Sequence, residues 1–183
     1  MSDLSLSPES LERNRSQLSV SSYFDEALFR REQALIFQQS PRYVGHELSV
    51  PELGDFQTLA QEGEGRALLR TPDGVELVSN VCRHRQAVML KGRGNTAQHI
   101  VCPLHHWTYD LHGGLVGAPH FEQDPCLNLR NYPLQNWHGL LFDGNGPEVL
   151  SDLGKTGPLA ELDFSGYVFE RTQKRKILTP HCQ

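Results

Sequence analysis

Two cysteines and two histidines occur in the same order twice within one stretch of this chain. They stand as Cys82-Arg83-His84 and, after a gap of 17 residues, as Cys102-Pro103-Leu104-His105. Thiolates suit iron–sulfur chemistry, and imidazole binds iron as well. Two of each fit a [2Fe–2S] centre with both thiolates on one iron and both imidazoles on the other. Two thiolates leave the oxidised centre near neutral, where four would leave it doubly negative. Electron uptake is then easier, and the potential lies well above that of an all-cysteine cluster. A fold that uses this set must bring two loop tips face to face. In Cys-x-His an extended or looped tip would point both side chains the same way. Pro103, Gly92, Gly94, Gly113 and Gly114 provide the bends around the tips.

The 183 residues suit one domain with an arm. With 38% hydrophobic and 21% charged residues, a packed core is expected rather than general disorder. A formal net charge of −5, from 22 acidic and 17 basic residues, argues against nucleic acid or an anionic membrane as partner. No apolar run approaches the roughly 18 residues of a membrane-spanning helix. The polar N-terminus does not read as a signal peptide. Of four cysteines, two fall in the motif. Cys126 is expected to be a small buried hydrophobe and Cys182 an exposed thiol, as in a cytoplasmic chain with free thiols.

Residues 1–20 are expected to form a flexible arm, and residues 21–41 a helical segment with its helix over 23–39. Ser22 and Asp25 have capping-box spacing. Phe24, Leu28 and Leu35 share a helical face with Phe29 and Ile36 beside it, and Pro41 ends it. From residue 42 to 183 the pattern is of short strands and turns, predicted at 43–46, 56–59, 66–70, 75–78, 99–101, 139–143 and 166–177. Thr71-Pro72-Asp73-Gly74 is a hairpin signal. Strands run into Cys82 and Cys102, so rigid sheet would fix the ligand geometry. The fold class is mainly β, an antiparallel sandwich or barrel with two cluster-binding loops and an N-terminal helix.

Cys82-Arg83-His84-Arg85 and the run from Cys102-Pro103-Leu104-His105-His106-Trp107 to Gly113 resemble the two cluster loops of Rieske non-haem iron oxygenases of the aromatic ring-hydroxylating type. In that family they lie in the N-terminal Rieske [2Fe–2S] domain of the alpha subunit. The resemblance continues through Ile36-Phe37, Val44-Gly45-His46-Glu47 and Asn136-Trp137-His138-Gly139-Leu140-Leu141-Phe142. It implies a Rieske-type sandwich and makes Cys82, His84, Cys102 and His105 the metal and cofactor ligands. Two positions depart from the family. Gln86 and His106 stand where glycine is usual. His106 is a competing ligand, but the two-residue spacing from Cys102 selects His105. Trp107 is expected to pack over the loop and exclude water. Arg83 and Arg85, with Lys91 and Arg93, make the first loop basic, which suits either a solvated loop or docking of an acidic electron donor. His46, His99, His112, His120 and His138 read as surface or packed polar residues.

Respiratory Rieske proteins carry a disulfide between the loops and a serine near the cluster. Ala87, Leu104 and Trp107 stand at those positions here. The loss of those hydrogen bonds predicts a potential in the lower Rieske range, roughly −150 to 0 mV. That suits electron delivery from a ferredoxin or flavin reductase towards a mononuclear iron oxygenase domain. The family holds that iron with two histidines and a carboxylate, and these 183 residues lack that motif, so no catalytic residue is assigned. The expectation is an electron-transfer domain, in a homotrimer if part of a full alpha subunit. The alternatives are a free-standing Rieske ferredoxin, and an interaction module in which the same Cys₂His₂ set holds structural zinc.

Overall fold

The computed structural model describes residues 19–37, 41–123, 125–144, 155, 163–164 and 166–170. It divides into two compact units, Met1–Ser40 and Pro41–Gln183.

In the first unit a 3₁₀ turn, Val20–Tyr23, precedes helix α1, Glu26–Glu32, and a π turn, Gln33–Phe37, follows it. The cap is Asp25, not Ser22. Its carboxylate accepts from Ala27 N at 2.8 Å and Leu28 N at 3.1 Å, satisfying backbone donors that the first turn leaves free. The regular helix is thus shorter than the expected 21–41 segment, and none of its residues is buried. Most of the expected arm, residues 1–18, lies outside the described residues.

The second unit is antiparallel β. Its middle layer has the order β5-β2-β3-β4-β9, from β2 (Asp55–Thr58), β3 (Arg66–Thr71), β4 (Gly74–Ser79), β5 (Arg93–Asn95) and β9 (Asn131–Tyr132). A second sheet joins β1 (Arg42–His46), β11 (Leu140–Asp143) and β10 (Leu134–Trp137). A third joins β6 (His99–Val101), β7 (Thr108–Asp110) and β8 (Leu115–Gly117). Antiparallel sheets often leave one face to water, but β3 and β4 are buried on both. Leu68 and Leu77 pair across the strands and pack with Val44, Leu59 and Leu141. Ala67 and Val78 pair on the other face and pack with Ile100, Trp107 and Tyr109. Strand period two thus sorts alternate residues of one hairpin into two cores. A Cβ on Gly45 would lie 2.7 Å from Leu68 Cδ1, so glycine is what lets β1 lie this close to β3. Arg66 on β3 adds a polar tie, bonding Asp143 on β11 at 2.7 Å and also Glu62.

The predicted hairpin, the strand at 99–101 and the strand near 139–143 are present within a residue or two. No strand occurs over 166–170, and 171–177 lie outside the described residues. Cys126 is exposed rather than buried, in a stretch without regular structure. Cys182 lies outside the described residues. Among the described residues no helix is long and apolar enough to cross a membrane.

Asn80, 1% exposed, pins the end of β4 to the chain that follows the first loop. Its Nδ2 donates to Glu64 O and Leu90 O at 2.8 Å each, and its Oδ1 accepts from Leu90 N at 2.8 Å. Asn80→Ala would leave the buried Leu90 N–H and C=O and the part-buried Glu64 C=O without this partner, and a loss of about 3 kcal/mol is expected. Urea unfolding measures it, and a loss under about 1 kcal/mol would mean that water replaces the amide.

His112, in the β7–β8 turn, ties the third sheet to the middle one. Its Nδ1 lies 2.7 Å from Glu76 Oε1, and Asp73 is 3.6 Å from Nε2. The bond to Glu76 chiefly raises its pKa, helped by the charges of Glu76, Asp73 and Asp110 and opposed by partial burial. A raised folded pKa contributes stability that is complete below the unfolded value and lost as pH rises through the folded one. His112→Gln should therefore be less stable than the parent below pH about 6.5 and converge with it in alkaline solution. The gap will be small because the pair is exposed. Unfolding curves at a series of pH values test this, and a gap independent of pH would show that the bond does not titrate.

Candidate metal centre

The two motif loops make the same turn. In the first, Val81 and Val88 bridge at the base, Cys82 N donates to Ala87 O at 2.9 Å, and Gln86 N donates to Cys82 O at 2.9 Å. In the second, between β6 and β7, Cys102 N donates to Trp107 O at 2.8 Å and His106 N donates to Cys102 O at 3.0 Å. Each cysteine is thus held through both backbone groups. The residues between are turns, the looped rather than the extended form of the expected tips. Each turn is closed by a left-handed residue, Gln86 at φ 57° and His106 at φ 56°. These are the two positions where glycine is usual in the resembling family. The geometry explains the glycines, since only they take this conformation without steric cost.

The turns bury both thiols. Cys82 and Cys102 are each 1% exposed, within the core formed by the middle and third sheets, and no disulfide joins them. The imidazoles of His84 and His105 lie outside them, half-buried, with ring centroids 4.7 Å apart. Trp107 lies parallel to His84, 4.9 Å away at an interplanar angle of 5°. Burial lowers the His84 pKa, and the charges of His105 and Arg85 lower it further, favouring the neutral ring that a metal requires. Arg83 and Arg85 are exposed. His106 is also exposed, and its contribution to the loop is its backbone.

Two further residues build the site. Tyr109 reaches across from β7, its hydroxyl accepting from Arg83 N at 3.1 Å and lying 3.5 Å from Cys82 Sγ. Burial is the main cause that pushes its pKa up. The alternation Trp107, Tyr109, Leu111, all buried, was the signal for it. Phe121 stands edge-on to Trp107 at 5.2 Å and to His84 at 6.0 Å; nothing in its sequence context marked it.

This arrangement fits an iron–sulfur cluster. His84 Nδ1 is buried without a hydrogen-bond partner among the described residues, a costly state for an imidazole nitrogen unless it has a ligand. Beside it are two buried thiols, a soft donor pair that suits iron and sulfide. Among the described residues no three His, Cys, Asp or Glu side chains converge as a single ion would need. A two-iron cluster takes two protein ligands per iron.

Comparison with known proteins agrees. The Rieske [2Fe-2S] domain matches residues 40–133. Putrescine 2-hydroxylase from Ralstonia nicotianae is 60% identical over 160 residues, covering 87% of this chain and 43% of its own length. The enzyme of that name from Bordetella bronchiseptica is 52% identical over 173 residues, covering 87% and 40%. This chain therefore spans about two-fifths of the length of these curated relatives. Among solved structures, a quaternary ammonium Rieske monooxygenase, CntA, bound to an inhibitor, superposes with a TM-score of 0.65 at 27% identity, over 76% of this chain and 41% of its own. Naphthalene 1,2-dioxygenase from Rhodococcus sp. bound to indole superposes with a TM-score of 0.59 at 29% identity, over 72% and 32%.

Left-handed backbone costs a side-chain-bearing residue on the order of 1 kcal/mol. Gln86→Gly and His106→Gly should each stabilise the chain by about that amount. Chemical denaturation of each variant measures it. A loss of stability in either would reveal a side-chain contact that outweighs the strain.

Proposed function

The chain belongs to the Rieske [2Fe-2S] domain family, and from that membership we propose that it is the electron-transfer domain of a Rieske-type oxygenase, with Cys82, His84, Cys102 and His105 holding the cluster. The cluster, when bound, supplies a reversible one-electron carrier. The protein's own residues do the rest. The matched turns hold the thiols rigidly in the core. His84 and His105 lie nearer the surface, on the side where electrons would enter and leave. Trp107 covers one face of His84. Tyr109 offers a hydroxyl to Cys82, and hydrogen bonds to cluster sulfur tune potential. Arg83 and Arg85 flank His84 as exposed positive charges suited to an acidic donor.

The single observation that carries this reading is the repeated turn presenting two buried thiols and two adjacent imidazoles. The electron source would be a ferredoxin or flavin reductase. The acceptor would be a mononuclear iron site outside these 183 residues, in the same protein or a neighbouring subunit of a trimer. The identity to putrescine 2-hydroxylases over 87% of the chain favours an aliphatic diamine as the substrate hydroxylated there. Free buried thiols suit a reducing compartment, the cytoplasm.

EPR of protein purified without air and reduced with dithionite, together with iron and sulfide analysis, tests the proposal. The expected result is a Rieske-type signal with two irons per chain. Cys82→Ala, His84→Ala, Cys102→Ala and His105→Ala should each abolish it. An intact signal in His105→Ala would transfer the ligand role to His106. A zinc-loaded chain that takes up no iron and sulfide on reconstitution would defeat the electron-transfer reading.

A further inference from the structure

We propose that Phe121 is a positioning residue that keeps water from His84 and Trp107 and thereby holds down the reduction potential of the centre; this rests on the ligand reading above. The three rings form one assembly. Trp107 lies parallel to His84, and Phe121 meets both edge-on, at 85° to Trp107 and 90° to His84. Such edge contacts are favoured by the ring quadrupoles. Trp107 is only 1% exposed although its loop is at the surface, while Phe121 is 48% exposed. Phe121 is thus the outer layer, with one side in water and the other against the two rings.

The backbone places it there. Phe121 N donates to Ala118 O at 3.2 Å, closing a turn. Pro119 fixes the second position and His120, at φ 71°, occupies the third in the left-handed region, the pattern of a type II turn. Ala118 and Leu115, just before it, pack on the core that contains both motif cysteines. The aromatic ring is therefore delivered by a constrained turn rooted in that core.

The consequence is electrostatic. On taking one electron from a donor such as dithionite, the centre gains one negative charge. A charge is disfavoured in surroundings of low polarity, so an apolar cover opposes reduction, and solvent exposure is among the features that set such potentials. Removing the ring admits water beside His84, stabilises the reduced form more than the oxidised one, and raises the potential. Plain packing would instead lower the melting temperature and leave the potential where it was.

The test is an EPR-monitored redox titration of the cluster-loaded chain and its Phe121→Ala, Phe121→Leu and Phe121→Tyr variants. The potential should rise in Phe121→Ala, rise less in Phe121→Leu, and stay near the parent value in Phe121→Tyr. Parent-like potentials in all three, with the cluster present, would overturn the proposal. If Phe121→Ala holds no cluster, Phe121→Leu decides: a parent-like potential there overturns it. A second readout is independent of the cluster. In a Trp137→Phe background only Trp107 fluoresces, since the chain has two tryptophans. Acrylamide quenching of the apoprotein should then rise on Phe121→Ala, and unchanged quenching would show that Phe121 shields nothing. If the parent shows no EPR signal, the ligand reading fails, and the quenching result still decides whether Phe121 covers the pair.

Discussion

The structure of the site depends on how two cysteines are held by their own backbones. In each loop the cysteine N–H donates to a carbonyl five residues on, and its C=O accepts from the residue before that one. Both polar groups of each cysteine are therefore paired, and the thiol can sit in an apolar core at no backbone cost. Apolar packing around Cys82 and Cys102 shuts both thiols off from water. The imidazoles of His84 and His105 sit nearer the surface. The site consequently has an inner sulfur side and an outer imidazole side.

Two cores flank the β3–β4 hairpin, and this lets the turns stay rigid. The first loop grows from β4, whose Leu77 and Val78 face opposite cores. The second grows from the β6–β7 hairpin, whose Ile100 and Tyr109 pair directly and pack against the middle sheet. Movement of either loop would disturb packing several residues away. Asn80 and Tyr109 complete the frame. One fixes the chain on either side of the first loop, and the other carries a contact from the second hairpin to the first loop.

The sequence disclosed the chemistry more fully than the backbone that delivers it. The paired motif named four residues, and the structure brings His84 and His105 together over two buried cysteines. The β3–β4 hairpin was legible because Pro72 and Asp73 specify its turn locally. Strand β5 was not, because Gly94 reads as a turn residue. The ring of Phe56 packs where its side chain would be, with Cζ 3.0 Å from a built Cβ, a contact that no local pattern reveals. Strands β7 to β10 have two to four residues each, too short for periodicity to register. Gln86 and His106 were legible as unusual, but their left-handed backbone becomes visible only in the turn. The helix was overextended because its apolar spacing suggested a buried face, and no residue of α1 is buried.

Charge shows the same separation of local from global. The chain is acidic overall, at −5, yet the exposed residues beside His84 are Arg83 and Arg85. Arg93, which sequence grouped with them, is committed elsewhere. It donates to Ser49 O and stacks over the Phe169 ring at 4.4 Å. The basic feature is thus narrower than the sequence implied, and it is centred on the first loop. Its position gives it two effects at once. Burial first, and then the His105 and Arg85 charges, lower the His84 pKa, while the exposed arginine pair presents a positive field at the loop surface. Fields of that kind act on encounter rate more than on affinity and weaken with salt. A net-negative protein can therefore still carry a locally positive surface, because the potential there is set by charges within a Debye length, about 8 Å at physiological salt, and not by the sum over the chain.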